Sequence, residues 1–184
     1  MPYQEDEQSR EPENPENYRY IPRSEVSEAL DAFGYGSTKK FVDALYIHPD
    51  GNSGVGVLKV TEEHCKDHFG LLRGVDQGEA IAQTLLLLHK FVTGIPDGQS
   101  PLLEHAEVDL KNPALPGSVL NITVNETSSD ENSFTGQGAI TSGNKITAQG
   151  VVSGRVISTE LLTRLIERSK RQQVGTRSRF QIKE

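Results

Sequence analysis

His68 and Glu79 flank a glycine-punctuated stretch, His68-Phe-Gly-Leu-Leu-Arg-Gly74-Val-Asp-Gln-Gly-Glu79, that leads into a long apolar run. An imidazole titrates close to neutral pH, so His68 can take a proton that a carboxyl group elsewhere replaces. Together the two residue types can share the halves of a proton-shuffling reaction. His64, Cys65 and His68 also suggest a metal cluster, but His at i and i+4 shares a face only on a helix. No third and fourth ligands are evident, so no metal is expected. Cys65 reads as an inert small residue, and His48, His89 and His105 as structural or exposed.

The elements that must position the pair follow from local pattern. Ser24 can cap a short helix lined by Val26, Leu30 and Phe33 and ended by Gly34. Phe41–Ile47 and Gly54–Val60 read as strands joined by the Asp50-Gly51 turn. From about Glu79 to Val92 apolar residues cover most of a helix's circumference, which marks a buried helix. Four period-2 segments follow: Leu102–Lys111, Val119–Val124, Phe134–Thr141 and Ile146–Ile157. Glu160 to about Arg171 is an amphipathic helix carrying Leu161, Leu162, Leu165 and Ile166 on one side. One all-apolar helix among strands needs a curved antiparallel sheet around it, so the fold class is α+β.

The chain has 184 residues, is 34% hydrophobic and 24% charged, and carries a net charge of −7. That suits one domain at 22–171, an acidic disordered tail at 1–21, where Tyr18 and Tyr20 could anchor the end, and a flexible basic tail at 172–184. A single cysteine excludes an internal disulfide, and the acidic balance argues against nucleic acid. No segment reads as a secretory signal or a membrane span, so a cytoplasmic location is expected.

Several motifs, in order, resemble the hotdog-fold 3-hydroxyacyl-acyl-carrier-protein dehydratases. Asp67-His68-Phe69-Gly70 resembles that family's Gly-His-Phe-Pro-Gly, and Arg73-Gly74-Val75 its Pro-Gly-Val. Glu79-Ala-Ile-Ala-Gln83 is similar to its Glu-Ala-hydrophobic-Ala-Gln. Val108-Asp-Leu-Lys-Asn-Pro113-Ala-Leu-Pro-Gly117 resembles its Lys-Phe-Arg-Arg-Pro-Val-Leu-Pro-Gly-Asp, and Phe41-Val-Asp43 its Leu-Val-Asp. The likeness spans residues 37–157. Gly34-Tyr-Gly-Ser-Thr38 stands where the family carries His-Arg-Tyr-Pro-Phe, and the His-to-Glu loop is shorter than the family's and lacks its prolines.

The resemblance implies a hotdog fold, a curved antiparallel sheet wrapped around one long buried helix, and loss of water from a 3-hydroxyacyl thioester. His68 would be the base and Glu79 the acid, with the Gly74 N–H as oxyanion donor and Phe69, Val75 and Gln83 at the substrate. A carboxylate opening a helix tends to stay ionised, so a proton-donating Glu79 must be desolvated. His64 is a rival base, Asp76 a rival acid, and Gln83 could equally be a polar residue filling a buried groove. No metal or redox cofactor is needed. The implied partner is an acyl-carrier protein, met by a basic rim drawn from Lys39, Lys40, Arg73 or the Arg164–Arg171 face. The implied assembly is a homodimer, or a hexamer as a trimer of dimers, with His68 and Glu79 of facing subunits meeting. A hotdog acyl thioesterase and a non-catalytic acyl-binding or assembly subunit are the other readings.

Overall fold

The computed structural model describes residues 15–177 except Asp67, Asp97 and Glu131, with side chains described to Arg168. The expected disorder of residues 1–14 and 178–184 lies outside the described residues, as does Asp67 of the histidine motif. So do the side chains of Lys170, Arg171, Arg177 and Arg179 in the basic C-terminal run.

The described chain runs β1 (Arg19–Ile21), α1 (Arg23–Ala32), β2 (Ala44–Ile47), β3 (Ser53–Lys59), α2 (Gly74–Thr93), β4 (Gln99–Leu110), β5 (Val119–Ser129), β6 (Ser133–Ser142), β7 (Lys145–Ser158) and α3 (Thr159–Arg177). Among the described residues the strands form one antiparallel 7-stranded sheet in the order β1-β2-β3-β5-β6-β7-β4. Strand alternation puts Leu58, Leu120, Ile122, Val124, Phe134, Ile140, Ala148 and Val152 into the core. Ile81, Leu85, Leu86, Leu87 and Leu88 of α2 fill the same core. The helix lies close enough that β6 needs two glycines. A Cβ at Gly136 would stand 2.6 Å from Leu85 Cδ1, and one at Gly138 2.6 Å from Ile81 Cγ2. This is the hotdog architecture, a curved sheet around one long buried helix.

The structure moves several expected boundaries. Arg19–Ile21 is an edge strand on β2 rather than tail. The Tyr20 ring packs on Tyr46 at 5.0 Å and Tyr18 on His48 at 5.3 Å. Ser24 does not cap α1; Pro22 holds that position and no side chain caps it. Phe41 and Val42 are buried but precede β2, because the Phe41 N–H is taken by a side chain of α2 instead of a strand. β4 starts earlier, at Gln99, and carries an irregularity between Leu103 and His105.

The largest correction concerns α2, which begins at Gly74 rather than near Glu79. Asp76 in its first turn binds Arg73 through two hydrogen bonds of 2.6 and 2.7 Å, closing that turn across the positive helix end. Gly74 and Gly78 read as breakers in sequence. Here they are contact points, facing Leu110 and Val108 of β4. α3 runs beyond the expected Arg171, and Leu161, Leu165 and Ile166 on its apolar stripe stay exposed. Among the described residues no helix is long and apolar enough to cross a membrane.

Candidate active site

Glu79 stands in the second turn of α2, half-buried, on the wall of a cleft of about 430 Å³. Tyr35, Lys39, Phe41, Arg73, Val75 and Asp76 also line it. Because α2 starts at Gly74, the helix-end argument passes from Glu79 to Asp76.

Gln83, one turn after Glu79, is fully buried. Its amide nitrogen donates to the Lys39 carbonyl at 2.6 Å and to Glu79 Oε1 at 3.1 Å. Its oxygen accepts the Phe41 N–H at 2.8 Å. One side chain thus pins the segment before β2 to α2 and also holds Glu79. Gln83 is thus the polar residue of a buried groove, and it does not itself line the cleft.

The residue sequence reasoning passed over is Tyr35. The C-terminus of α1 closes as a Schellman motif: Gly34, at φ +86, donates to Asp31 O at 2.9 Å and Tyr35 N–H to Leu30 O at 3.0 Å. Buried Val26, Ala29 and Leu30 fix α1 against the core, so the motif delivers Tyr35 to the cleft. The Tyr35 hydroxyl donates a hydrogen bond to Glu79. Burial first, then the charge and hydrogen bond of Glu79, push its phenol far above the ordinary tyrosine value. The available signal was its place between two glycines, in the segment that departs from the family's motif.

His68 does not line this cleft. It lies half-buried in the loop before α2, where its carbonyl accepts the Leu71 N–H at 3.0 Å and its ring meets Phe69 edge-on at 5.8 Å. Phe69 is 96% exposed and holds φ +53, a strained setting for an aromatic residue. Val75 is exposed at the cleft mouth. The N–H groups of Gly74 and Val75 open α2 without a partner among the described residues. His64, the rival base, does not line the cleft. Its Nδ1 accepts the Thr61 N–H at 3.1 Å and its ring lies 5.7 Å from that of Phe41. Burial lowers its pKa, opposed by the charges of Asp43 and Asp76. Asp76, the rival acid, is committed to Arg73. Burial, with Asp76 nearby, raises the Cys65 thiol, which suits an inert residue. Of the expected basic rim, Lys39 and Arg73 line the cleft, whereas Lys40 is tied to Asp31 at 2.7 Å. Among the described residues no three His, Cys, Asp or Glu side chains converge on a metal site.

The arrangement presents a carboxylate fixed by two donors, in an open cleft beside Lys39, the Arg73–Asp76 ion pair and a helix N-terminus. It can accept a proton from water or orient a hydroxyl, next to donors suited to a developing oxyanion.

No protein-family model matches the chain, and no curated protein matches it in sequence. Solved structures do match its fold. The dehydratase heterocomplex ApeI:P from Xenorhabdus doucetiae aligns at TM-score 0.66 and 20% identity, covering 80% of this chain and 99% of that one. Zebra fish thioesterase superfamily member 2 aligns at TM-score 0.57 and 18% identity, over 73% and 98%. A thioesterase superfamily member from Thermus thermophilus aligns at 0.57 and 13%, over 69% and 96%. At these identities the likeness establishes the hotdog fold, a scaffold that hosts both chemistries.

Proposed function

We propose that this protein is a hotdog enzyme acting on acyl thioesters, as a 3-hydroxyacyl thioester dehydratase of fatty-acid, polyketide or related acyl-chain synthesis. The observation that carries the proposal is Glu79, held by Gln83 and Tyr35 in an open cleft that Arg73, Val75 and Asp76 at the start of α2 also line. In the dehydration direction His68 takes the C2 proton and Glu79 gives a proton to the departing C3 hydroxyl. Water leaves and the C2–C3 double bond forms. In hydration the same protons travel back. The Gly74 N–H carries the thioester oxygen as its charge grows.

His68 reaches a Glu79 cleft across a dimer. The exposed apolar collar of Phe69, Val75, Leu110 and Leu115 supports a second subunit there, as does the long outer strand β4. The acyl group arrives on an acyl-carrier protein, whose acidic surface suits Lys39 and Arg73. Assay with 3-hydroxyacyl and 2-enoyl thioesters, on carrier protein and on coenzyme A, tests the proposal. Reversible hydration by the wild type, lost in His68→Ala and in Glu79→Gln, is the expected result. Activity retained by His68→Ala overturns the histidine role.

A second reading, thioester hydrolysis, is favoured by one specific feature: the Gln83 and Tyr35 contacts both leave Glu79 as an acceptor, the role of a water-activating carboxylate. Product analysis separates the two, since hydrolysis releases free thiol and dehydration an enoyl thioester.

A further inference from the structure

We infer that Tyr35 is the positioning residue of the site: its hydroxyl, carried into the cleft by the Schellman turn of α1, fixes the Glu79 carboxylate in its reactive orientation. The inference rests on the reading of Glu79 as the reacting carboxylate.

Glu79 sits on a helix and has free χ angles of its own. A carboxylate aimed at a reacting atom must have that freedom removed by its neighbours. Gln83 supplies one contact from the same helix, but at 3.1 Å and with its amide already shared with the Lys39 carbonyl. Tyr35 approaches from a different element. Its backbone is locked by the two turn bonds at Gly34 and Tyr35. A phenol bound from α1 and an amide bound from α2 define the carboxylate plane in a way that neither could alone. The phenol stays protonated through the physiological range, because burial and the neighbouring charge raise it, so it donates steadily and is no proton shuttle. This also gives α1 a role beyond packing, since its capping turn sets the catalytic carboxylate.

Three variants test the inference: Tyr35→Phe, Glu79→Gln and the double variant. Tyr35→Phe keeps the ring and removes only the hydroxyl. Turnover of the acyl thioester should fall about 10- to 100-fold in kcat, with KM within about threefold, because orientation rather than substrate binding is lost. In the Glu79→Gln background the same change should cause no further loss, since residues acting through one contact are not additive. A readout independent of activity is the titration of the Tyr35 ring, assigned by difference from Tyr35→Phe in carbon-labelled tyrosine NMR. Glu79→Gln should bring that titration down, because it removes the negative charge beside the phenol. An unmoved Tyr35 titration overturns the contact itself, whatever the enzyme does. A Tyr35→Phe protein with wild-type kcat overturns the positioning role. Glu79→Gln with full turnover instead sinks the reading of Glu79 and leaves the titration result standing, so the two failures are distinguishable.

Discussion

Replacing Gln83 with leucine should destabilise the protein well beyond the effect of a conservative core change. Leucine nearly fills the glutamine's volume, so little cavity is created. The polar ledger decides the outcome. The Phe41 N–H loses its acceptor at 2.8 Å in a buried setting, and the Lys39 carbonyl loses a donor at 2.6 Å. A buried donor left unmet costs about 1–3 kcal/mol. The Lys39 carbonyl is only partly buried and can recover water, so it adds about 0.5–1 kcal/mol. The expected loss is therefore about 1.5–4 kcal/mol. With a urea m-value of about 2 kcal/mol/M, this moves the unfolding midpoint down by about 0.75–2 M. Because the same amide holds Glu79, turnover should fall as well. A urea titration by circular dichroism gives the measurement. A midpoint within about 0.3 M of wild type, at unchanged slope, would refute the argument that Gln83 satisfies this segment in place of a strand partner.

Glu126→Ala should lower stability by about 2 kcal/mol or more, since His89 is fully buried, bonds Glu126 at 2.9 Å and has no partner for its other ring nitrogen among the described residues; thermal unfolding reads this directly. Gly138→Ala should cost about 1–3 kcal/mol through overpacking against Ile81. Gly36→Ala, at an extended φ of −73 with open space around it, should be neutral within about 0.5 kcal/mol. His64 has a folded pKa depressed by burial, so the folded state binds fewer protons there than the unfolded chain. The sign follows: stability is unaffected by His64 above its unfolded value near 6.5 and declines as pH falls from there toward the folded value. Urea unfolding at pH 7.5 and 5.5 should show a smaller pH-dependent loss in His64→Asn than in wild type.

The strand pattern was legible because one face of this sheet is buried, and period-2 alternation records that directly in β5, β6 and β7. The helix was legible in its apolar body but not at its start. Local propensity reads Gly74 and Gly78 as stops, whereas tertiary contact with Leu110 and Val108 requires them small. The Arg73–Asp76 pair that closes the first turn leaves no hydrophobic trace. The same blindness explains Ser24, a residue type that favours helix caps, sitting inside α1 after Pro22.

The candidate site divides along the same line. Glu79 and Gln83 share a helix, so their spacing of one turn predicts that they meet. Tyr35 comes from a turn far upstream and reaches Glu79 only because α1 packs on the core and a glycine at φ +86 redirects the chain. Its significance lay in a departure from the family's pattern, which a motif comparison can only record as missing. His68 raises the opposite case. Its flanking motif was legible, yet one chain leaves it outside the Glu79 cleft and beside an aromatic residue turned almost wholly into solvent at positive φ. A strained, exposed Phe69 is unfavourable for an isolated chain and becomes favourable once a second subunit covers it. Sedimentation of Phe69→Ser should therefore show a weakened assembly. If His68 acts across that contact, turnover should fall in proportion to the assembled fraction and recover at higher protein concentration. Activity independent of assembly would place the chemistry within one chain, where Glu79, Tyr35 and Gln83 already stand together.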